Sequence, residues 1–166
     1  MVRDNLRLVI AIGALSVFLG LQRIIPHPPN FTPIIASAAF LPWMFGWRPV
    51  AVLPPLFALL IGDLYWGFHT YMLYTYGSLV LTALVALRIP NIWAGALTGS
   101  VLFFAVTNFG VWLSGYYGYT LQGLVACYVM AIPFFTNTLV STFVYTAVFV
   151  FLYRTVAGFT PLRQTS

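Results

Sequence analysis

Charge is what this chain lacks most. Its 166 residues include no Lys and no Glu, and Asp4 and Asp63 are the only acids. Charged residues make up 5% of the chain, against about a quarter in a soluble domain. So few charges cannot keep a globule of this size in water. That excludes a soluble enzyme, a nucleic-acid module and a disordered chain. All seven basic residues are Arg, scattered singly between apolar runs rather than gathered into the basic patch that nucleic acid requires. The lone cysteine, Cys127, leaves no disulfide framework and no cysteine-based metal cluster within one chain. In an apolar segment it reads as a small hydrophobe. No Ser-His-Asp spacing, phosphate loop, HExxH or cysteine pair is present. The chain is therefore expected not to be an enzyme, and no cofactor is implied.

Apolar residues are what it has, at 61% hydrophobic and 18% aromatic with a mean hydropathy of +0.96. The fold class this implies is all-α, a polytopic membrane helix bundle forming a single integral membrane domain over 1–166. A crossing needs about 20 apolar residues to pass a core of about 30 Å. Six spans are predicted, at roughly 6–25, 34–46, 50–62, 71–87, 92–113 and 133–153. The basic head and apolar run of the first could be a signal peptide, but the run has no clean small-residue exit, so a retained helix is expected. The second and third are short and disturbed by Pro42 and the Pro54-Pro55 pair. They read as two crossings or one re-entrant hairpin. Holding Arg48 at membrane depth would cost at least about 2.5 kcal/mol, which favours two crossings. Segment 121–132 is too short to cross, ends at Pro133, and reads as an interfacial or re-entrant piece before the last span.

Six spans sort the arginines. Arg3, Arg7, Arg48, Arg88, Arg154 and Arg163 fall on one side, which the positive-inside rule makes cytoplasmic. Both termini are then inside, and the expected location is a bacterial inner membrane. Arg23 alone falls at the outer end, where His27, Asp63 and His69 also lie. Polar loop residues would account for this, and so would a binding site, because ionisable groups near membrane level are usually paired or functional. Arg23 and Asp63 form the obvious pair, either as a structural bridge or as a ligand clamp.

Around that pair the outer side carries several motifs. Pro26-His27-Pro28-Pro29-Asn30-Phe31-Thr32-Pro33 is a stiff, non-helical loop, because residues before proline are pushed to extended geometry. It is either a plain turn or a cap over a cavity. Asp63 through His69 brings Tyr65 and Trp66, interfacial anchors by default. The spacing of Asp63, His69 and His27 matches no zinc signature, so no metal site is assigned. Thr107-Asn108-Phe109-Gly110-Val111-Trp112 and Thr136-Asn137-Thr138 put amides at similar depth on two spans. They suit either a shared polar cavity or interhelical hydrogen bonds. Tyr116, Tyr117 and Tyr119 suit an aromatic belt or an aromatic pocket. Gly95-xxx-Gly99 and Ser16-xxx-Gly20 are small-residue steps for close helix packing, within the chain or against a partner.

With these motifs in view, the chain resembles a family of small bacterial integral membrane proteins. The shared features are Arg23-Ile-Ile-Pro26-His27-Pro28-Pro29-Asn30-Phe31-Thr32-Pro33, Asp63 with Gly67 and His69, Thr107 through Trp112, and Gly123-Leu124 through Pro133-Phe134-Phe135. That family is in turn similar to the substrate-binding S components of energy-coupling-factor transporters. The resemblance implies an outward pocket capped by the loop after span one, a vitamin-like metabolite or a metal ion as ligand, and an ATPase-driven energising module as partner. The Ala-xxx-Ala docking step of S components is approximated only by Ser16-xxx-Gly20, since Ala11 and Ala14 are three apart.

The residues support two readings. In the first, the chain is a membrane-embedded substrate-binding protein for uptake of a small molecule. Arg23, His27, Asn30, Asp63, His69, Asn108 and Asn137 then line an outward pocket walled by Trp66 and Trp112. Arg23 would hold an anionic group, and Asp63 would orient Arg23 or bind a cation. In the second, it is a structural or accessory subunit that packs through Gly95 and Gly99 against another membrane subunit. A chamber of about 300 Å³ or more favours the first reading. A packed outer half with Arg23 and Asp63 satisfied by each other favours the second.

Overall fold

The computed structural model describes residues 2–157, which hold six α-helices and no strand. They are α1 (Val2–Ile24), α2 (Ile34–Phe45), α3 (Pro49–Trp66), α4 (Met72–Ala86), α5 (Ile92–Leu113) and α6 (Leu121–Ala157). Three helices, Pro49–Trp66, Ile92–Leu113 and Leu121–Thr155, are long and apolar enough to cross a membrane, and the other three are shorter apolar helices. Large apolar side chains such as Val9, Leu73, Val129 and Phe151 stand exposed on the outside of the bundle. In water that surface would drive association; in hydrocarbon it is the solvent-matched face.

The bundle is organised around its shortest helix. Prolines at 26, 28, 29 and 33 keep the chain non-helical until Ile34, and Gly46, at φ +72°, ends the helix after twelve residues. Residues Ile34 through Trp43 are all buried. A helix apolar on every side belongs in the middle of a bundle, and α2 indeed packs against α3, α4, α5 and α6. It is about 18 Å long, roughly 12 Å short of a hydrocarbon core. Its carboxyl half is closed off by Phe40, Leu41 and Trp43 with Ala51, Ile92 and Val150. The Trp43 indole there donates to the Pro90 carbonyl at 2.7 Å. The chain segments carrying Arg48, Arg88 and Arg154 therefore share one end of the bundle. The opposite end is where the chamber described below lies.

Two sequence expectations are corrected. Residues 121–132 are not a separate re-entrant piece; they are the first turns of the 37-residue α6. Pro133 sits inside it and removes one helical donor. The helix runs on through it, packed along α5 and α2. The third span also runs further than expected, through Trp66, so Asp63 belongs to a helix rather than to the following loop. Arg163 lies outside the described residues, as do the side chains of Arg3, Asp4 and Arg7.

Close helix approach falls at particular glycines. A Cβ on Gly20 would stand 2.9 Å from Ile61 of α3, and one on Gly99 would stand 2.7 Å from Thr82 Cγ2 of α4. Ser16 is buried on the same helix as Gly20 and donates its hydroxyl to the Ile12 carbonyl. Gly95 is different, since a Cβ there would meet nothing within 4 Å. Gly110, which the sequence reading passed over, is tight against Tyr74. The Gly99 face is thus covered by α4 of the same chain.

The two glycines of the Gly95-xxx-Gly99 step should respond with opposite signs. Gly95→Ala should raise the thermal unfolding midpoint, because alanine is better than glycine in a helix by about 1 kcal/mol. Gly99→Ala should lower it by about 1–3 kcal/mol of stability, as overpacking does. Thr82 is buried with its hydroxyl bonded to the Ser78 carbonyl and cannot swing aside. Thermal melts of the detergent-solubilised variants measure both.

Candidate functional site

Above the amino end of α2 the bundle is hollow. The cavity has a volume of about 710 Å³ and opens to the outside through the loops at this end. Ile34 and Ile35 of α2 form its floor. One face of α5 (Phe103, Phe104, Thr107, Asn108, Val111) and one face of α6 (Cys127, Met130, Ala131, Phe134, Phe135, Thr138) form its main walls. Both sets recur at helical spacing, so each is a single stripe turned inward. Phe104 and Phe135 touch across the two helices with ring centroids 4.5 Å apart. A helix about 10 Å across and 12 Å longer than α2 would occupy a space of the same order as the cavity. The hollow is the volume that α2 fails to fill.

Of the residues the sequence singled out, Arg23, His27, Asn30, Trp66, His69 and Asn108 line the cavity. Asp63, Trp112 and Asn137 do not. Asp63 is buried behind Arg23, with its side chain 3% exposed. Trp112 packs between Phe109 and Tyr119 away from the chamber, and Asn137 acts from outside as described below. Several wall residues carried no individual signal in the sequence. Phe103 lies in a uniformly apolar run, Ala131 and Phe134 entered only within the stretch from Gly123 to Phe135, and Thr75 was not singled out. Only the inward register of α5 and α6 selects them. Cys127, set aside as a small hydrophobe, is also at the wall.

At the rim, Arg23 Nη2 lies 3.2 Å from Asp63 Oδ1, and Nη1 donates to the Leu59 carbonyl at 3.0 Å. Tyr76 of α4 donates to the other carboxylate oxygen at 2.8 Å. The guanidinium fits because residue 62 is glycine: a Cβ there would stand 2.7 Å from Arg23 Nε. The Trp66 indole donates to the Arg23 backbone carbonyl at 3.1 Å and ties the end of α3 to the end of α1. Arg23 therefore faces the cavity with its charge already balanced. Asp63 neither lines the chamber nor offers a free carboxylate to a cation. Among the described residues, no three His, Cys, Asp or Glu side chains come together to hold a metal ion.

The proline loop is tied down as a cap. Asn137 donates from Nδ2 to the Pro29 carbonyl at 3.0 Å, and Ser141 shares its hydroxyl hydrogen between the Thr138 carbonyl of its own helix at 3.0 Å and the Asn30 carbonyl at 3.3 Å. One turn further along, Tyr145 meets the Phe31 ring at 6.1 Å. These three α6 residues are spaced by four and form a single grip on the loop. Asn30 itself is at φ +62°, which turns the chain back toward α2. The His27 Nδ1 contact with the Pro28 carbonyl, 2.7 Å, places the ring proton on Nδ1, since a carbonyl only accepts. The aromatic residues around the rim are exposed: Tyr65 and Trp66 at the end of α3, Phe68 in the loop after it, and Tyr116 and Tyr119 between α5 and α6. Of the three tyrosines 116, 117 and 119, Tyr117 alone reaches the cavity.

Two outcomes follow from this geometry. Arg23→Leu alone strands a buried carboxylate and should cost about 3–5 kcal/mol. The double variant Arg23→Leu with Asp63→Leu should recover most of that loss in a thermal or denaturant melt, as an isosteric apolar replacement does. Asn137→Ala removes one of the two hydrogen bonds from α6 to the loop, worth about 1 kcal/mol. Hydrogen exchange at the Phe31 and Thr32 amides should then quicken by about fivefold, while exchange in α4 stays unchanged.

No curated protein and no solved structure matches the chain. A family model does, over residues 3–162, and it is described as a family of unknown function, DUF6580. With that match running over nearly its whole length, the chain belongs to this family.

Proposed function

We propose that this protein is a membrane-embedded binding component for uptake of a small organic molecule, with the capped cavity as its binding chamber. The observation that carries the reading is the cavity itself. At about 710 Å³ it falls within the range of about 300–1,000 Å³ typical of small-molecule sites. Its lining is mostly apolar with a few converging polar groups, again as such sites are built. The proline loop over it fits the capped outward pocket that the resemblance to S components implies. In this reading all six helices cross a bacterial inner membrane. Both termini and Arg48, Arg88 and Arg154 face the cytoplasm, and the cavity faces outward. Rigid-body movement of packed helices would carry the ligand across. The energy would come from an ATPase-driven module or from another membrane subunit. No bond in the ligand is made or broken.

The second reading, an accessory subunit without a ligand, is favoured by one observation: Arg23 and Asp63 satisfy each other. It is weakened by another, because the Gly99 face it would use for docking is occupied by α4 of the same chain.

Native mass spectrometry of gently purified protein should find a small molecule retained by the wild type and lost from Ala131→Trp, which fills the chamber. Thr107→Phe serves if the first variant does not fold. An empty wild-type protein that always arrives with another subunit would overturn the binding reading. For the topology, cysteines placed at His69 and Arg154 in a Cys127→Ala background should be labelled by an impermeant thiol reagent from opposite sides of the membrane.

A further inference from the structure

The chamber also carries information about what it would hold, and the argument here rests on the binding reading above. On the walls formed by α4, α5 and α6 the polar side chains have their hydrogens committed. Thr75 donates to the Tyr71 carbonyl, Thr107 to Phe103 at 2.7 Å, and Thr138 to Phe134 at 2.9 Å. Each hydroxyl has a single hydrogen, so what these walls present inward is oxygen lone pairs. Asn108 donates from Nδ2 to the Phe104 carbonyl at 2.8 Å, and its Oδ1 remains as an acceptor. His69 lines the same space, and its Nδ1 is buried without a partner. The α4, α5 and α6 walls are thus rich in acceptors, while the side chains of Asn30, Thr32, Tyr71 and Tyr117 around the opening donate no hydrogen bond among the described residues and are free to donate or accept.

The charge balance points the same way. Among the described residues Arg23 is the only Arg at the cavity, and Asp63 and the Leu59 carbonyl each engage one of its two terminal nitrogens. An anion would have to compete with a buried carboxylate for it, and a cation would find no exposed acid. Between the polar groups stand Phe103, Phe104, Phe134 and Phe135. Such rings favour a flat π-system by offset or edge-on contact.

The geometry points to an uncharged, planar aromatic ligand that carries a hydrogen-bond donor, N–H or O–H, on its edge. The ring lies against the phenylalanines of α5 and α6, and the donor meets the acceptors of Thr107 or Asn108. A ligand without the donor leaves those groups unpaired in an apolar chamber, which is what makes the site selective.

Isothermal titration of the full-length protein in detergent tests this with four probes of one shape: 2-naphthol, 2-methoxynaphthalene, naphthalene-2-carboxylate and 2-naphthylmethylammonium. Heat measured with Ala131→Trp, or with Thr107→Phe, is subtracted as micelle partitioning. We expect 2-naphthol to bind at least about tenfold more tightly than its methyl ether, with both charged probes weaker than 2-naphthol. Equal affinity of 2-naphthol and its ether overturns the donor requirement. Tightest binding by the carboxylate or the ammonium overturns the neutral class while leaving the chamber a binding site. A carboxylate result would place the anion at the open amino end of α2. If no probe gives heat beyond the filled variant, the inference falls. If the wild type also carries no small molecule in native mass spectrometry, the binding reading falls with it.

Discussion

The length of α2 governs this structure. A helix apolar on all sides must be surrounded, so it takes the centre of the bundle, and the other helices gather round it. At twelve residues it cannot fill the depth that its neighbours define. Its carboxyl half is sealed by Phe40, Trp43, Ala51, Ile92 and Val150. The unfilled length remains at the other end as a chamber. Close packing ordinarily removes voids of this size, because the atoms lining them lose contacts. Here the void persists because the proline loop cannot continue the helix upward and is held across the opening by Asn137 and Ser141.

Electrostatics then sets the character of that chamber. An isolated charge in an apolar surround is costly, so Arg23 and Asp63 persist as a pair completed by Tyr76 and the Leu59 carbonyl. Gly62 supplies the room. The consequence reaches beyond stability. With the guanidinium balanced from behind, the cavity gains hydrogen-bonding capacity without gaining net charge from its arginine. The same pair joins α1 to α3, and Tyr76 extends the link to α4.

Much of the architecture was readable from hydropathy and proline. The bounds expected for 34–46, 71–87 and 92–113 lie within one or two residues of α2, α4 and α5. Long apolar periodicity and strong stop signals at Gly46, Pro90 and Asn91 leave little choice there. The misreadings came where a local rule met a tertiary one. Pro133 argues locally for a break, and packing along α5 and α2 overrides it. Gly95 and Gly99 look equivalent as letters, but only Gly99 meets a neighbouring helix. Six of nine candidate site residues line the cavity, because polar side chains in an apolar chain stand out by scarcity. Asp63 also stood out, but a sequence cannot say whether an acid faces the chamber or backs the residue that does. Of the four wall phenylalanines among 15, Phe134 and Phe135 entered only through the resemblance, and Phe103 and Phe104 gave no signal.

By itself, the sequence determined that the chain is an apolar helical bundle, where its helices begin and end to within a turn in most cases, and that Arg23, His27, Asp63 and His69 stand apart from the other arginines at one end. Those are properties of solvation and backbone geometry, which act residue by residue along the chain. Tertiary structure alone decided that a hollow exists there, which stripes of α5 and α6 face it, and that Arg23 meets it already neutralised. Those outcomes depend on how far one helix reaches relative to five others, and on rotations about helix axes. Such quantities arise only when the elements are packed together.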